Sequence, residues 1–319
     1  MLNDDVGANK TIVALTGAGG FIGTALREQL LAAGYGVRAL YRPRRGRVLQ
    51  KAAGLQWIAG DVNDRVALAA LMQGVEAVVH CAGAVRGARR SDFDLVNEKG
   101  VLDTVSAAKR EPGCRRFLLF SSLAAREPHL SDYAGSKRRG EVALEANAAH
   151  LAWAVLRPPA VYGPGDREML PLFQSMARGL ALIPGSGDGR FSLIHVADLV
   201  SAVLAWLATD GDSGNTYTLD DGREGGYDWN TVLATASRVL RGNALIRRLP
   251  IPAPLLRFFG GANLAAARVF GYAPMLTPGK VRELTHADWV CDGSAFAQAT
   301  GWRPAFDFER GLANTPVLH

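Results

Sequence analysis

Cysteine is scarce in this chain: 319 residues hold three, at positions 81, 114 and 291. An odd number leaves one unpaired in any disulfide scheme, and no two have the Cys-x-x-Cys spacing of a zinc site or redox pair. The expected setting is therefore a reducing compartment, the cytoplasm, with neither disulfide framework nor metal site. Long apolar runs are missing too. The longest stretch without a charge, Thr11 to Leu26, is sixteen residues rich in glycine, too short and wrongly composed for a membrane span. The first residues, Met-Leu-Asn-Asp-Asp, have neither a basic start nor an apolar core, so no secretory signal is expected. Zinc-finger spacing and basic motifs interleaved with aromatics are also absent. The net charge of +6, with 30 Arg among 36 basic residues, thus points away from nucleic acid and toward a basic soluble protein that binds anionic phosphates. There is no internal repeat and no low-complexity segment.

An apolar content of 48% against 21% charged is that of an ordinary globular chain. Over the first 160 residues, short apolar strand patterns alternate with helical ones. The predicted strands are Thr11 to Thr16, Gly36 to Tyr41, Leu55 to Ala59, Ala77 to Cys81, Arg116 to Ser121 and Ala152 to Leu156. The helix after the first should bury Phe21, Ile22, Ala25, Leu26 and Leu30 and stop at Gly34. Short right-handed crossovers between such strands give an α/β fold, a doubly wound parallel (Rossmann) sheet. After Arg157 the texture changes, with Pro158, Pro159, Pro164, Pro171 and Pro184 in quick succession. A smaller C-terminal substrate domain is therefore expected. Residues 10–163 would form the dinucleotide-binding domain, rejoined by about 190–220 through a strand at Phe191 to Ile194, a helix near 197–208 and a strand at Thr216 to Leu219. Residues 164–189 and 221–319 would form the substrate-binding part. The apolar segment Leu249 to Tyr272 carries two Arg and could lie on a membrane surface, but Pro252 and Pro254 interrupt it, and a substrate-domain helix with a buried face is the preferred reading.

The first strand runs directly into Thr16-Gly17-Ala18-Gly19-Gly20-Phe21-Ile22-Gly23. Glycines at 17, 20 and 23 suit a tight turn, close backbone approach to a pyrophosphate, and close packing of helix on strand. The helix N-terminus offers free N–H groups to the phosphates. An NAD site usually ends its second strand in an acid that accepts from the ribose 2′-hydroxyl, yet no Asp or Glu occurs from 29 through 60. Arg42, with Arg44 or Arg45 second, instead suits a 2′-phosphate, so NADP is favoured over NAD. Asp61 and Val62 would border the adenine, and Ala82 and Gly83 end the fourth strand where the backbone can approach the cofactor. His80 reads as a packed strand residue.

Tyr133 and Lys137 stand four apart in Ser-Asp-Tyr-Ala-Gly-Ser-Lys, on one face of a helix. With seven Tyr and six Lys in the chain, only about 0.13 such pairs arise by chance. A nearby ammonium favours the phenolate and brings the phenol into range for proton transfer.

These pieces resemble the extended branch of the short-chain dehydrogenase/reductase superfamily. The matching motifs are TGAGGFIG (16–23), GDV (60–62), HCAG (80–83), Asn97 in DLVNEKG, LLFSS (118–122), YAGSK (133–137), RPPAVYGPGD (157–166) and IHVADL (194–199), followed by a closing GWRPAFDFERGL (301–312). The second strand, VRALYRP, is similar to that of NADPH-using reductases of the dihydroflavonol reductase type. The resemblance implies hydride transfer between nicotinamide and a carbonyl or alcohol carbon. Tyr133 would move the proton, Lys137 would lower the phenol pKa and hold the ribose, and Ser122, with Ser121 as rival, would orient the substrate oxygen. It also implies a supporting role for Asn97, backbone contact with nicotinamide from Pro159 to Val161, structural roles for Glu141, His195 and Asp198, and a possible homodimer. Leu123 and Ala124 follow Ser122 where dehydratases of the family place an acidic pair, which argues against elimination. Only ten residues separate Ser122 from Tyr133, fewer than sugar epimerases use. Three readings follow: a carbonyl reductase of a small-molecule substrate, a nucleotide-sugar epimerase, and a non-catalytic nucleotide-binding subunit.

Overall fold

The computed structural model describes residues 11–43, 48–209 and 213–317. Six short strands follow one another at the start: β1 (Ile12–Thr16), β2 (Gly36–Tyr41), β3 (Leu55–Ala59), β4 (Ala77–His80), β5 (Arg116–Phe120) and β6 (Ala152–Arg157). Beyond them come β7 (Ala160–Tyr162), β8 (Leu180–Pro184), β9 (Arg190–Phe191), β10 (Leu193–His195), β11 (Asn215–Thr218), β12 (Arg247–Ile251) and β13 (Asp288–Trp289). A seven-stranded sheet, parallel throughout, runs in the order β3-β2-β1-β4-β5-β6-β11. Its first six strands have the 3-2-1-4-5-6 arrangement of a Rossmann sheet, and the order reverses beside β1, where such folds bind their ligands.

The helices on this sheet are α1 (Phe21–Ala32), α2 (Arg65–Met72), α3 (Arg90–Asp94), α4 (Gly100–Ala108) and α5 (Asp132–Asn147), with a π-helical turn over Leu95–Lys99 joining α3 to α4. Further on are α6 (Leu170–Ala177), α7 (Val196–Ala208), α8 (Trp229–Arg241), α9 (Ala253–Phe270), α10 (Pro278–Leu284), α11 (Ser294–Thr300) and α12 (Phe308–Ala313). Both faces of the sheet are covered, so β1 is apolar on both sides: Val13, Ala14 and Leu15 are fully buried. One face packs on Leu26 and Leu30 of α1 and Leu199, Val203 and Trp206 of α7. The other packs on Leu68 and Leu71 of α2, Val101 and Val105 of α4 and Leu144 of α5.

A third core, built from Tyr162, Phe173, Met176, Ile183, Tyr227 and Phe308 among others, lies away from the sheet. Around it three two-stranded parallel pairs, β7 with β10, β8 with β12 and β9 with β13, tie distant parts of the chain together. The strand expected over Phe191 to Ile194 is broken at Ser192, whose hydroxyl instead accepts from the Cys291 amide at 3.1 Å and donates to the Cys291 carbonyl at 3.3 Å. Asp198 at the start of α7 accepts from the amides of Ala305 and Phe306 at 2.8 and 2.9 Å, which fastens the closing motif to the helix.

Helix α9 has a buried face, but that face is built from small residues. Its buried residues are Gly260 and Ala267, and a Cβ at Gly260 would stand 3.0 Å from the Thr277 carbonyl carbon. Close backbone packing there admits only small residues. The large ones point outward: Phe258 is 70% exposed and Phe270 79%.

Candidate active site

The loop from β1 to α1 is shaped by its glycines. Gly17 has φ +69°, and a Cβ there would lie 2.7 Å from the Ala82 nitrogen; a Cβ at Gly23 would lie 2.1 Å from the Gly17 carbonyl oxygen. At Gly20 a Cβ would meet Gly17 O at 3.3 Å among the described residues beyond its chain neighbours, so it would occupy the space in front of the loop. Gly20 also caps α1 without a side-chain hydrogen bond, which leaves the first amides of a twelve-residue helix to an incoming anion. Phe21 and Ile22 in that first turn rest half-buried on the sheet core. Thr16 Oγ1 accepts from the Ala82 amide at 3.2 Å, joining the ends of β1 and β4. These features fit a dinucleotide.

At the far edge, Arg42 stands largely exposed with its guanidinium 3.9 Å from the Asp61 carboxylate. Asp61 also accepts from the Asn63 amide at 3.1 Å. Val62 is buried and fills the space beneath Gly100, where a Cβ would come within 2.8 Å. Arg38 turns inward to the Ala70 carbonyl, and Arg44 and Arg45 lie outside the described residues.

Ser121 and Ser122 have different partners. Ser121 is buried and donates to Glu141, which also receives both arms of Arg157 at 2.6 and 2.8 Å and Arg138 at 2.9 Å. Burial alone would raise the Glu141 pKa, but Arg157, Ser121 and Arg138 hold it below the ordinary carboxylate value. Ser122 begins a 3₁₀ turn over Leu123–Arg126, accepts from the Ala124 amide at 3.2 Å, and forms a hydrogen bond to Tyr133 that pulls the phenol pKa down. That pull is outweighed. Burial, aided by the Glu283 charge, pushes Tyr133 up to about 12.

The hydrogen bond that Lys137 makes in this structure is to a strand carbonyl and not to the phenol. Lys137 is buried, and its Nζ donates to the Phe120 carbonyl at 2.8 Å. Burial lowers its pKa to about 8. The i, i+4 spacing placed both residues on the inner face of α5, but an interior ammonium bonds the nearest carbonyl, and β5 supplies one. A Cβ at Gly83 would lie 3.1 Å from Lys137 Nζ, so Gly83 keeps the end of β4 clear beside it. Asn97, in the π turn, brackets the same strand end: its Oδ1 accepts from the Ala84 amide at 2.8 Å, while Nδ2 donates to the Ala84 carbonyl at 2.9 Å and to Ser136 at 2.8 Å. His80 stacks on Phe117, and burial lowers its pKa to about 3, so it stays neutral.

Ser122, Tyr133, Pro159 and Val161 open onto one cavity of about 1050 Å³. Its remaining walls come largely from the second half of the chain, where no motif singles out individual residues. Lys280 lies with Nζ 6.0 Å from the Tyr133 ring centre and pairs with Glu283 at 2.9 Å. Ser131, which caps α5 two residues before Tyr133, bonds to that Glu283. The capping Thr277 with Pro278 after it marks the start of α10 in the sequence, but no local signal says that this helix meets α5. Phe93 completes the setting, edge-on to Tyr133 at 6.3 Å between centres.

The model of the NAD dependent epimerase/dehydratase family matches residues 13–219. A ceramide reductase of Caulobacter vibrioides is 37% identical over 288 residues, covering 90% of this chain and 88% of that protein. A 2-alkyl-3-oxoalkanoate reductase of Stenotrophomonas maltophilia is 32% identical over 58% of this chain and 61% of its own. A UDP-glucose 4-epimerase of Vibrio cholerae is 25% identical, covering 95% and 94%. In fold, the chain superposes on the UDP-glucose 4-epimerase of Thermotoga maritima with a TM-score of 0.74 at 20% identity, covering 96% and 97% of the two chains.

Proposed function

The chain belongs to the NAD dependent epimerase/dehydratase family, and on that premise we propose that it is an NADP-dependent carbonyl reductase acting on a ketone of lipid size. The observation that carries the reading is the convergence of Ser122 and Tyr133 on one large cavity, with Ser121 committed to Glu141. A reduced nicotinamide, when bound, supplies the hydride. The first amides of α1 and the Gly20 opening would hold its pyrophosphate, and Arg42 would hold a 2′-phosphate. Ser122 orients the substrate oxygen by donating to it. Tyr133, kept protonated by burial, donates its Oη proton as negative charge develops on that oxygen. Lys137 places a buried positive charge one helical turn away. Asn97 fixes the β4 end against α5, so these groups hold their spacing without cofactor contacts.

Two facts support the substrate class. The cavity is walled by Phe93, Leu172, Leu182, Leu193, Trp229 and Met275, among others, and 37% identity over most of the chain connects it to a ceramide reductase. The test is oxidation of NADPH and of NADH against long-chain 3-oxo amides, 2-alkyl-3-oxoalkanoates and 3-oxosteroids. Tyr133→Phe should lower kcat by about 10²–10⁴-fold with an unchanged melting temperature. Arg42→Ala should erase most of the preference for NADPH. Equal turnover by wild type and Tyr133→Phe would overturn the chemistry. A nucleotide-sugar epimerase is the second reading, favoured by the near full-length similarity to the Vibrio cholerae protein; it requires retained NAD and isomerisation of a UDP-hexose without net redox change.

A further inference from the structure

The first turn of α5, which carries Tyr133, is held by a helix from the far end of the chain. Glu283 of α10 is buried, and its two carboxylate oxygens are divided between Ser131, the cap of α5, and Lys280 Nζ at 2.9 Å. Arg282 donates to the Leu130 carbonyl at 2.7 Å, and a Cβ at Gly279 would lie 2.9 Å from Ser131 Cβ. This seating puts opposite charges beside one phenol. Lys280 Nζ stands 6.0 Å from the centre of the Tyr133 ring, at the distance where a ring face attracts a cation, and its side chain is only 33% exposed. Glu283 acts the other way, because its charge raises the phenol pKa.

The other elements around the ring bring charges with partners of their own. Lys137 of α5 bonds the Phe120 carbonyl, and Arg139 pairs with Asp94 and Glu98. Arg90 of α3, the helix whose Phe93 meets the ring edge-on, pairs with Asp94 at 3.1 Å. Arg126, in the turn after Ser122, donates to the Val290 carbonyl at 2.7 Å. His129 and Asp132 are exposed members of the cavity wall. We propose that Lys280 is a positioning residue for proton transfer at Tyr133: it neutralises the Glu283 carboxylate beside the phenol and faces the ring when the Oη proton has left. The proposal rests on the carbonyl-reduction reading, in which the substrate carbon gains a hydride from the nicotinamide, its oxygen gains the Oη proton, and a phenolate remains at Tyr133. In the reverse direction that phenolate takes the alcohol proton. Removing either charge should move the ionisation by about one pH unit, a tenfold change in phenolate.

Two readouts test it. Ultraviolet titration of tyrosinate in the cofactor-free protein, taken as the difference from Tyr133→Phe, follows this phenol without any turnover. Glu283→Gln, which keeps an oxygen for Ser131, should ionise about one pH unit lower than the wild type, and Lys280→Met about one unit higher. The second readout is oxidation of the alcohol matched to the ketone reduced, at fixed pH below the phenol pKa. It is taken as a ratio to the wild type, so that titration of Lys137, common to all variants, cancels. Lys280→Met should be about tenfold slower and Glu283→Gln faster by about the same factor. Lys280→Arg should restore most of the rate, and the double variant Lys280→Met, Glu283→Gln should return toward the wild type. Lys280→Gln serves if the methionine variant misfolds. A bond that merely held α10 on α5 would slow both single variants, so changes of the same sign overturn the proposal, as does a phenol titration that neither variant moves. Equal turnover by Tyr133→Phe would sink the carbonyl-reduction reading instead, and the titration, which needs no substrate, separates that failure from this one.

Discussion

Helices α1 and α9 are both rich in apolar residues, and they face opposite ways. In α1 the large residues Leu26 and Leu30 are fully buried against the sheet, and its glycines serve the loop and the tight seat beneath it. In α9 the glycine and alanine are inside and the phenylalanines are in solvent. A helical period tells that a helix has two faces. Which of them meets the protein depends on how near the neighbour's backbone comes, and that distance is a tertiary fact.

The contrast can be broken most sharply by truncating one large residue in each helix. Leu26→Ala should cost about 2–5 kcal/mol of unfolding free energy, whereas Phe258→Ala should change it by less than about 0.5 kcal/mol. Denaturant titration of the two variants decides; equal costs would mean that α9 is packed after all. The glycines give a second, smaller pair. Gly23→Ala should destabilise by about 1–3 kcal/mol and weaken cofactor binding, because the new methyl collides with the Gly17 carbonyl. Gly261→Ala, with open space around the added carbon, should stabilise by roughly 0.5–1 kcal/mol.

Charge follows the same division, with Lys137 carried inward by α5 and the arginines of α9 left at the surface. Because folding lowers the Lys137 pKa to about 8, the folded chain releases above that pH a proton the unfolded chain still holds up to its ordinary value. Stability should therefore gain as pH rises from about 8 toward 10.5, while turnover falls over the lower part of that range as the ammonium is lost. Thermal melts and a kcat profile over the same buffers should run in opposite directions, and parallel curves would remove Lys137 from the proton path.

Much of the nucleotide-facing half was legible because its constraints are local. The apolar runs Gly36–Tyr41 and Leu55–Ala59 coincide with β2 and β3 residue for residue, and the glycine spacing at 17 and 23 follows from collisions a methyl would cause. The cavity was not legible. Lys280, Glu283 and Trp289 come to the cavity that Tyr133 lines from far along the chain, and the π turn that aims Asn97 has no sequence signature. The pairing of Tyr133 with Lys137 was visible as spacing, but their pKa values depend on burial and on the Phe120 carbonyl, which no spacing reveals.

The three parallel strand pairs around the third core set an order of assembly. The β1-α1 loop, β5 and α5 can organise from the first half of the chain through contacts of modest sequence separation. The cavity wall cannot, since β8 waits for β12 and β9 for Asp288 and Trp289. The phenol of Tyr133 is synthesised long before the residues that enclose the cavity it lines, and closing that cavity needs contacts of long sequence separation, the kind that form slowly.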